Sequence, residues 1–228
     1  MGIARNLAGL RERIARACER AGRDPASVKL VAVSKVQPAE AIREALEAGQ
    51  RAFGENYAQE LREKAEAIGE SSGIEWHFLG ELQTNKVKMV VGRVALVHTC
   101  DRPSLAQELN KRAAALGTVQ RVLVEVNLAS EPQKGGIVPG DLGPFVDAVR
   151  RLPSLRCEGF MCIPPAEDDP RKHFQRLREL RDELHGRTGL ALPELSMGMS
   201  ADYEGAIEEG ATIVRVGTAI FGERPPKA

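Results

Sequence analysis

The sequence predicts a single (β/α)8 barrel with an additional helix at its amino terminus. Three observations lead to this α/β fold class. Short apolar runs rich in β-branched residues recur along the chain, helical segments separate them, and eight such alternations fit into about 200 residues. Strands that alternate with helices pair in parallel through right-handed crossovers. Eight repeats then favour a closed barrel over the alternative, a doubly wound open sheet.

The leading helix carries an apolar stripe. Its apolar residues recur at steps of three and four: Ile3, Leu7, Leu10, Ile14, Ala17 and Cys18. Gly22 and Pro25 then end the helix. Acidic residues interrupt its polar face, which favours a helix packed on its own domain over one bound to a membrane surface. A protein–protein adaptor that uses this helix is a further alternative.

The strands are predicted from short apolar runs. They lie at 28–34, 51–54, 75–80, 94–99, 119–128, 156–163, 194–198 and 211–217. The segment 119–128 (VQRVLVEVNL) has the clearest strand pattern. Because the strands are parallel, their carboxyl ends meet at one mouth of the barrel.

Helices are predicted between the strands. They lie at 38–48, 56–67, 104–116, 139–151, 170–187 and 202–209, and a short helix begins at about residue 83. Pro38 opens the first of these and Gly49 closes it, and Ser104 is the expected N-cap of 104–116. The turn-rich stretch 129–144 is expected to be an excursion between a strand and its helix. Residues 1–228 are therefore expected to form one domain.

Composition and charge exclude several classes of partner. Lys and Arg number 32, as do Asp and Glu, so the chain has no net charge to attract nucleic acid or an anionic membrane. Aromatic residues make up only 4% of the chain, which argues against a stacking platform for single-stranded nucleic acid. The 28% of charged and 43% of hydrophobic residues are typical of a soluble globular protein.

The cysteines indicate a reducing compartment and no metal site. Cys18, Cys100, Cys157 and Cys162 form no C-x-x-C pair and have no zinc-ligand spacing. The first residues lack the apolar core of a signal peptide, and no stretch approaches the roughly 20 apolar residues of a membrane span. We expect a cytoplasmic protein.

Candidate functional residues follow the strands, because barrel sites lie at the carboxyl ends of strands. Lys35 follows the first strand. Partial removal from water favours the neutral form of an amine, which is a nucleophile towards carbonyl groups. The alternative is a lysine that extends from the barrel mouth into water.

Ser200, Gly217 and Thr218 follow the last two predicted strands. Barrels commonly bind phosphate there, on backbone N–H groups at a helix start. Gly217 permits a close approach of the backbone, and the two hydroxyls can donate hydrogen bonds. The alternative for Ser200 is ordinary helix capping.

Arg215 is the third candidate, and His77 and Asn56 are weaker ones. Arg215 lies in an otherwise apolar strand and needs an acceptor, either a carboxylate or a ligand atom. His77 on its strand is more often a satisfied core residue than a ligand contact, and Asn56 can be a helix cap. Together with Lys35 and the phosphate-type loops, Arg215 suggests a ligand that is a phosphorylated aldehyde.

Six segments, in this order, resemble the pyridoxal phosphate homeostasis proteins. They are VAVSKVQP (31–38), FGENYAQE (53–60), WHFLGELQTNK (76–86), EVNLASEPQKGG (125–136), GFMCIPP (159–165) and LSMGMSADYEGAIEEGATIVRVGTAIFG (195–222). The resemblance covers about residues 30 to 222. It implies a TIM barrel of the fold-type III kind, similar to the N-terminal domain of alanine racemase. It also implies that the protein binds pyridoxal 5′-phosphate (PLP) as an aldimine, as the family does.

The resemblance also implies roles for seven cofactor-binding residues. Lys35 would be the Schiff-base lysine, Ser200, Gly217 and Thr218 would hold the phosphate, and Arg215 would face the pyridine nitrogen. Asn56 and His77 match family positions near the cofactor. An arginine keeps that nitrogen unprotonated, and an unprotonated pyridine is a poorer electron sink for carbanion chemistry.

The function that the resemblance implies is PLP and vitamin B6 homeostasis and supply, without robust catalysis. A racemase needs a second acid or base, which alanine racemases take from an additional domain. The sequence ends ten residues after Thr218, so we expect no such domain here. The alternatives are a minimal PLP-dependent amino-acid racemase and a lysine-dependent aldolase. Expected partners are PLP and other B6 vitamers, with transient contact with PLP-dependent apoenzymes left open, and a monomer is expected.

Overall fold

Eight parallel strands close into a barrel in the order of the sequence. The structure is a computed structural model that describes residues 2–69, 72–131 and 133–222. The first strand pairs in parallel with both the second and the last strand. The predicted fold class is confirmed, and the open-sheet alternative is wrong. The assignment of residues 1–228 to one domain stays a prediction, and it includes positions outside the described residues.

The strands are short and lie close to their predicted positions. They are β1 (Lys29–Val33), β2 (Ala52–Glu55), β3 (Glu75–Phe78), β4 (Leu96–Cys100), β5 (Gln120–Glu125), β6 (Leu155–Met161), β7 (Glu194–Ser196) and β8 (Ile213–Val216).

The helices on the outside of the barrel mostly follow the prediction. They are α1 (Ile3–Arg20), α2 (Ala39–Glu47), α3 (Ala58–Ile68), α4 (Pro103–Ala115), α5 (Leu142–Arg150), α6 (Pro170–Thr188), α7 (Tyr203–Glu208) and α8 (Thr218–Phe221). The segment expected to form a helix from about residue 83 is a 3-10 helix, Thr84–Met89, and a 3-10 turn at Pro139–Asp141 precedes α5.

Helix α4 begins before the residue predicted to cap it. Its N-cap is Arg102 and its first residue is Pro103, so Ser104 lies inside the first turn. The prediction of Ser104 as N-cap is wrong. The fixed φ angle of proline suits the first helical position, and this preference sets the start of the helix one residue earlier than the serine would.

Helix α1 packs on the barrel, as predicted. The buried residues of this helix are Leu7, Leu10, Ile14, Ala17 and Cys18. The helix contacts α2, α7 and α8, and the Asn6 side-chain amide donates a 2.8 Å hydrogen bond to the Ile220 carbonyl. The apolar stripe is therefore covered by the chain itself. In the described part of the chain, no helix is long and apolar enough to cross a membrane.

Side chains alternate between the barrel interior and the layer under the helices. The interior apolar cluster includes Leu96 and Ile213, whereas their strand neighbours Val97 and Val214 belong to the outer core. This period of two turns four polar residues towards the interior: His77, His98, Ser196 and Arg215. All four are buried.

Truncating the apolar stripe of α1 should destabilise the fold. Leu7 has no exposed surface, so we expect Leu7→Ala to reduce the free energy of unfolding by about 2–5 kcal/mol, through lost burial and the cavity left behind. Urea denaturation measures this difference. The control is Glu12→Ala on the exposed face of the helix, expected to change stability by less than about 0.5 kcal/mol. Equal effects of the two substitutions would contradict the packing of α1.

Candidate ligand-binding site at the barrel mouth

A pocket of about 270 Å³ lies where β1, β7 and β8 end. Its lining residues are Val33, Lys35, Gln37, Met199, Ser200, Ala201, Arg215, Gly217, Thr218 and Gly222. Five of the seven predicted site residues are among them: Lys35, Ser200, Arg215, Gly217 and Thr218. The barrel brings these residues together because β1 and β8, at the two ends of the chain, are neighbours.

Lys35 lies on a tight turn directly after β1. The Gln37 N–H donates a 3.0 Å hydrogen bond to the Ser34 carbonyl, and Val36 has a φ angle of 59°. A β-branched residue rarely adopts this left-handed conformation, which costs on the order of 1–3 kcal/mol. The turn therefore persists only because its surroundings hold it in place.

A buried ionic cluster holds that turn. The Val36 N–H donates to the Glu60 carboxylate, at 2.5 Å. The Lys64 ammonium donates to the Ser34 carbonyl at 2.6 Å and to the carboxylates of Glu55 and Glu60 at 2.7 Å each. The Ser34 hydroxyl also donates to Glu55, at 2.6 Å. Backbone and side-chain atoms on both sides of Lys35 are thus bonded to one cluster between β2 and α3.

Burial dominates the electrostatics of this cluster. Glu55 has no exposed surface, and desolvation raises its pKa to about 7, although the Lys64 ammonium acts in the opposite direction. Sequence analysis did not identify Glu60 and Lys64. Their spacing of four residues on a predicted helix was the available signal, since it places an acid and a base side by side.

The loops after β7 and β8 present backbone donors. Within the described residues, the N–H groups of Ser200, Ala201 and Thr218 have no hydrogen-bond acceptor. Gly217 is close to β1, since an added Cβ atom would lie 3.1 Å from the Val33 carbonyl oxygen. These N–H groups and the two hydroxyls are the donors that an anion such as phosphate needs.

Ser200 does not cap helix α7. The N-cap of that helix is Asp202, whose carboxylate accepts a 2.6 Å hydrogen bond from the Met199 N–H. The capping alternative for Ser200 is therefore wrong. Asp202 closes the turn after β7 through this hydrogen bond, and Ser200 lines the pocket.

Arg215 is a buried cation that neutral groups hold. The residue is only 5% exposed. The guanidinium donates to the Ser196 hydroxyl at 2.6 Å and to the Cys162 carbonyl at 2.9 Å. Among the described residues no carboxylate pairs directly with it, and those of Glu125 and Asp202 act on it only through longer-range Coulombic attraction. The alternative of a direct carboxylate partner is therefore wrong for these residues. Burial lowers the pKa of Arg215, but a guanidinium stays protonated in proteins.

His77 lies away from the pocket, inside the barrel. Its Nδ1 is 2.8 Å from Nε2 of His98, and its Nε2 is 3.1 Å from the Glu75 carboxylate. His98 in turn is 2.8 Å from the Ser196 hydroxyl through Nδ1. His77 therefore reaches Arg215 only through His98 and Ser196, neither of which sequence analysis identified. Its direct contact with a cofactor stays a prediction.

Asn56 lines a neighbouring cavity of about 450 Å³, beside the ends of β2 and β3. Its side-chain oxygen is buried and has no hydrogen-bond partner within the described residues. Gly80 closes this corner, because an added Cβ atom there would lie 2.1 Å from the Asn56 carbonyl oxygen. The cofactor role of Asn56 stays a prediction.

Sequence comparisons assign the family. The model of the alanine racemase N-terminal domain matches residues 6–225. The pyridoxal phosphate homeostasis protein of Aquifex aeolicus is 49% identical, over 98% of this chain and 99% of that protein. The chain belongs to this family. The homeostasis protein of Escherichia coli K12 is 43% identical over 97% of both chains, and the family resemblance drawn from the six sequence segments is confirmed.

Solved structures agree with this family assignment. PipY of Synechococcus elongatus, determined with PLP bound, is 38% identical, with a TM-score of 0.85 over 96% of this chain and 100% of that one. Alanine racemase of Clostridium difficile matches 99% of this chain and 57% of its own, with a TM-score of 0.76. Because its identity is only 15%, the racemase supports the fold of this family member and nothing further.

Removing the cation of the buried cluster should destabilise the protein. Lys64→Met leaves Glu55 and Glu60 without their partner, and we expect a loss of about 3–5 kcal/mol in the free energy of unfolding. Lys88→Met, at an exposed lysine, is the control and should change stability by less than about 0.5 kcal/mol. Urea denaturation provides both values.

This loss should depend on pH. Because the pKa of Glu55 is higher in the folded state than in the unfolded state, ionisation of this carboxyl group destabilises the fold. The stability that its bound proton contributes is complete below about pH 4.5 and is lost as pH rises through about 7. Without Lys64 the cost of ionised Glu55 increases, and the variant should lose more stability at pH 8 than at pH 5. A loss that is equal at both pH values would contradict the burial argument.

Proposed function

We propose that this family member binds PLP in the pocket at the ends of β1, β7 and β8 and serves PLP homeostasis and supply without robust catalysis. The observation that carries the proposal is the convergence, in about 270 Å³, of an amine, a guanidinium and the loop donors. The names of the relatives, and the PLP-bound structure of PipY at 38% identity, support the same function.

The chemistry of the pocket fits such a ligand. PLP supplies an aldehyde that condenses with a primary amine, with loss of water, and a pyridine ring that withdraws electrons. Lys35 is the only primary amine among the described residues that line the pocket, and we propose it as the site of the covalent imine. The N–H groups of Ser200 and Thr218, with their hydroxyls, are proposed to bind the phosphate.

Arg215 is proposed to donate to the pyridine nitrogen. Two of its five N–H donors are used by Ser196 and Cys162, and the side chain also lines the pocket. A donor that keeps its proton leaves the pyridine nitrogen unprotonated. The ring then withdraws electrons less strongly, which disfavours removal of a proton from a bound amino acid.

The pocket supports binding over racemisation. Racemisation needs two groups that exchange protons, one on each face of the substrate. The described lining residues offer one such group, Lys35, since Arg215 retains its proton. The minimal racemase is the second candidate. The cytoplasmic location, the monomeric state, and contacts with other B6 vitamers and PLP-dependent apoenzymes stay predictions of the sequence.

Replacing Lys35 tests the covalent attachment. The purified protein incubated with PLP should develop a visible absorption band that borohydride abolishes while leaving the cofactor covalently attached. Lys35→Ala should lack both the band and the attachment in mass spectrometry. Lys111→Ala, at an exposed lysine of α4, is the control and should behave as the wild type. A Lys35→Ala protein that retains the reducible band would overturn the assignment.

Replacing Arg215 tests the suppression of catalysis. Arg215→Glu places an acid where it can protonate the ring nitrogen, and we expect racemisation or transamination of added L-alanine to rise about tenfold, the effect of about 1.4 kcal/mol on the barrier. Arg215→Met removes the cation without adding an acid and is the matched control. Equal rates in the two variants would contradict the argument. Wild-type racemisation at about 1 per second or faster would favour the racemase.

A further inference from the structure

A continuous line of polar side chains crosses the interior of the barrel. It starts at Glu75, the first residue of β3, and passes through His77, His98 and Ser196 to Arg215 in the pocket. The Glu75 carboxylate also pairs with the Lys29 ammonium at 2.5 Å. Lys29 and Glu75 begin their strands, so the line connects the amino-terminal end of the barrel to the pocket at the opposite mouth.

The direction of the hydrogen bonds follows from the end at Arg215. A guanidinium only donates, so the Ser196 oxygen accepts from Arg215. The Ser196 hydroxyl can then donate its proton to Nδ1 of His98. A neutral imidazole carries one N–H group, which places the proton of His98 on Nε2.

The same reasoning fixes the second histidine. Nε2–H of His98 donates to Nδ1 of His77, at 2.8 Å. The remaining proton of His77 then lies on Nε2 and donates to the Glu75 carboxylate at 3.1 Å. The bonds of the line all run from the Arg215 cation towards the Glu75 anion. Hydrogen bonds aligned in this way polarise and strengthen one another.

The protonation states agree with this arrangement. Burial lowers the pKa of His77 and, more strongly, that of His98, so both imidazoles are neutral near pH 7. The hydrogen bond from His77 lowers the pKa of Glu75 to about 2, which keeps the carboxylate ionised. The line therefore has one cation at the pocket and one anion at the far end, with neutral groups between them.

We propose that Glu75, His77, His98 and Ser196 are positioning residues that hold the Arg215 guanidinium in its place in the pocket. The inference rests on the proposed function in one respect, the role of Arg215 towards a bound ring. It assigns His77 an indirect role, through Arg215, in place of contact with the ligand. It also accounts for a buried guanidinium whose direct hydrogen-bond partners are a hydroxyl and a carbonyl, while the carboxylates of Glu125 and Asp202 act on its charge only at longer range.

Histidine tautomers in the ligand-free protein test the direction of the line. Nitrogen-15 NMR of imidazole-labelled protein should find both His77 and His98 as the neutral Nε2–H tautomer at pH 7. Ser196→Ala removes the hydroxyl that fixes His98, and we expect that residue to become a mixture of tautomers. The control is Thr99→Val, at the residue after His98 on β4. It removes a buried hydroxyl that donates to the Gly80 carbonyl and should leave both tautomers unchanged.

Cofactor binding tests the positioning role. We expect Ser196→Ala to weaken PLP binding about tenfold, equivalent to about 1.4 kcal/mol, and Ser196→Thr, which retains a hydroxyl, to restore it to within about threefold. In Ser196→Ala the visible band of the bound cofactor should also gain a pH-dependent transition that the wild type lacks, since its ring nitrogen is no longer held beside the cation. A purely structural role would lower the melting temperature without this transition.

The NMR and PLP-binding experiments distinguish failure of the proposed function from failure of the positioning role. If the wild type does not bind PLP, the proposed function is wrong, and the tautomers of the ligand-free protein and of Ser196→Ala still decide whether the line exists. If the wild type binds PLP but His98 is protonated on Nδ1, or Ser196→Ala binds PLP as tightly as the wild type, the positioning role is overturned while the proposed function stands.

Discussion

The pairing of the first strand with the last is the constraint on which the rest of the molecule depends. Val31 is opposite Arg215 and Ala32 is opposite Val216 in that pairing. The register places the turn that carries Lys35 beside the loop that carries Thr218, although 183 residues separate them along the chain (218 minus 35). The pairing of β7 with β8 adds the loop that carries Ser200 to the same pocket.

Two polar networks support this pocket from different sides. Outside the barrel wall, Lys64 and Glu60 bond to the backbone on either side of Lys35 and hold Val36 in an uncommon conformation. Inside the wall, Ser196 and Cys162 hold Arg215. Most of the side chains in both networks are buried. An unpaired polar group is costly there, and a hydrogen-bonded one confines its neighbours to a single arrangement. The rigidity of the pocket thus comes from its surroundings more than from its lining.

The use of neutral partners for Arg215 has a consequence for the chemistry of the pocket. A carboxylate beside the guanidinium would neutralise its charge and compete with a ligand for its donors. A hydroxyl and a carbonyl accept hydrogen bonds from some of the guanidinium N–H groups and leave the positive charge in place. The nearest charge of opposite sign in the polar line, on Glu75, lies at the far end of the barrel, beyond two neutral imidazoles.

The sequence alone determined the barrel, because apolar periodicity and the order of strands and helices are local properties of the chain. Six sequence segments carried the resemblance to the family. The rule that barrel sites follow the strands predicted five residues that meet in one pocket. Sequence analysis misplaced the start of α4, where proline geometry outweighed a serine cap. It did not identify Lys64, His98 or Ser196, and it left the partner of Arg215 undecided. Those points depend on which side chains the closed sheet turns towards one another across the interior or against a helix. Only the tertiary structure decides them, since hydrogen-bond partners distant in sequence are set by strand register and burial.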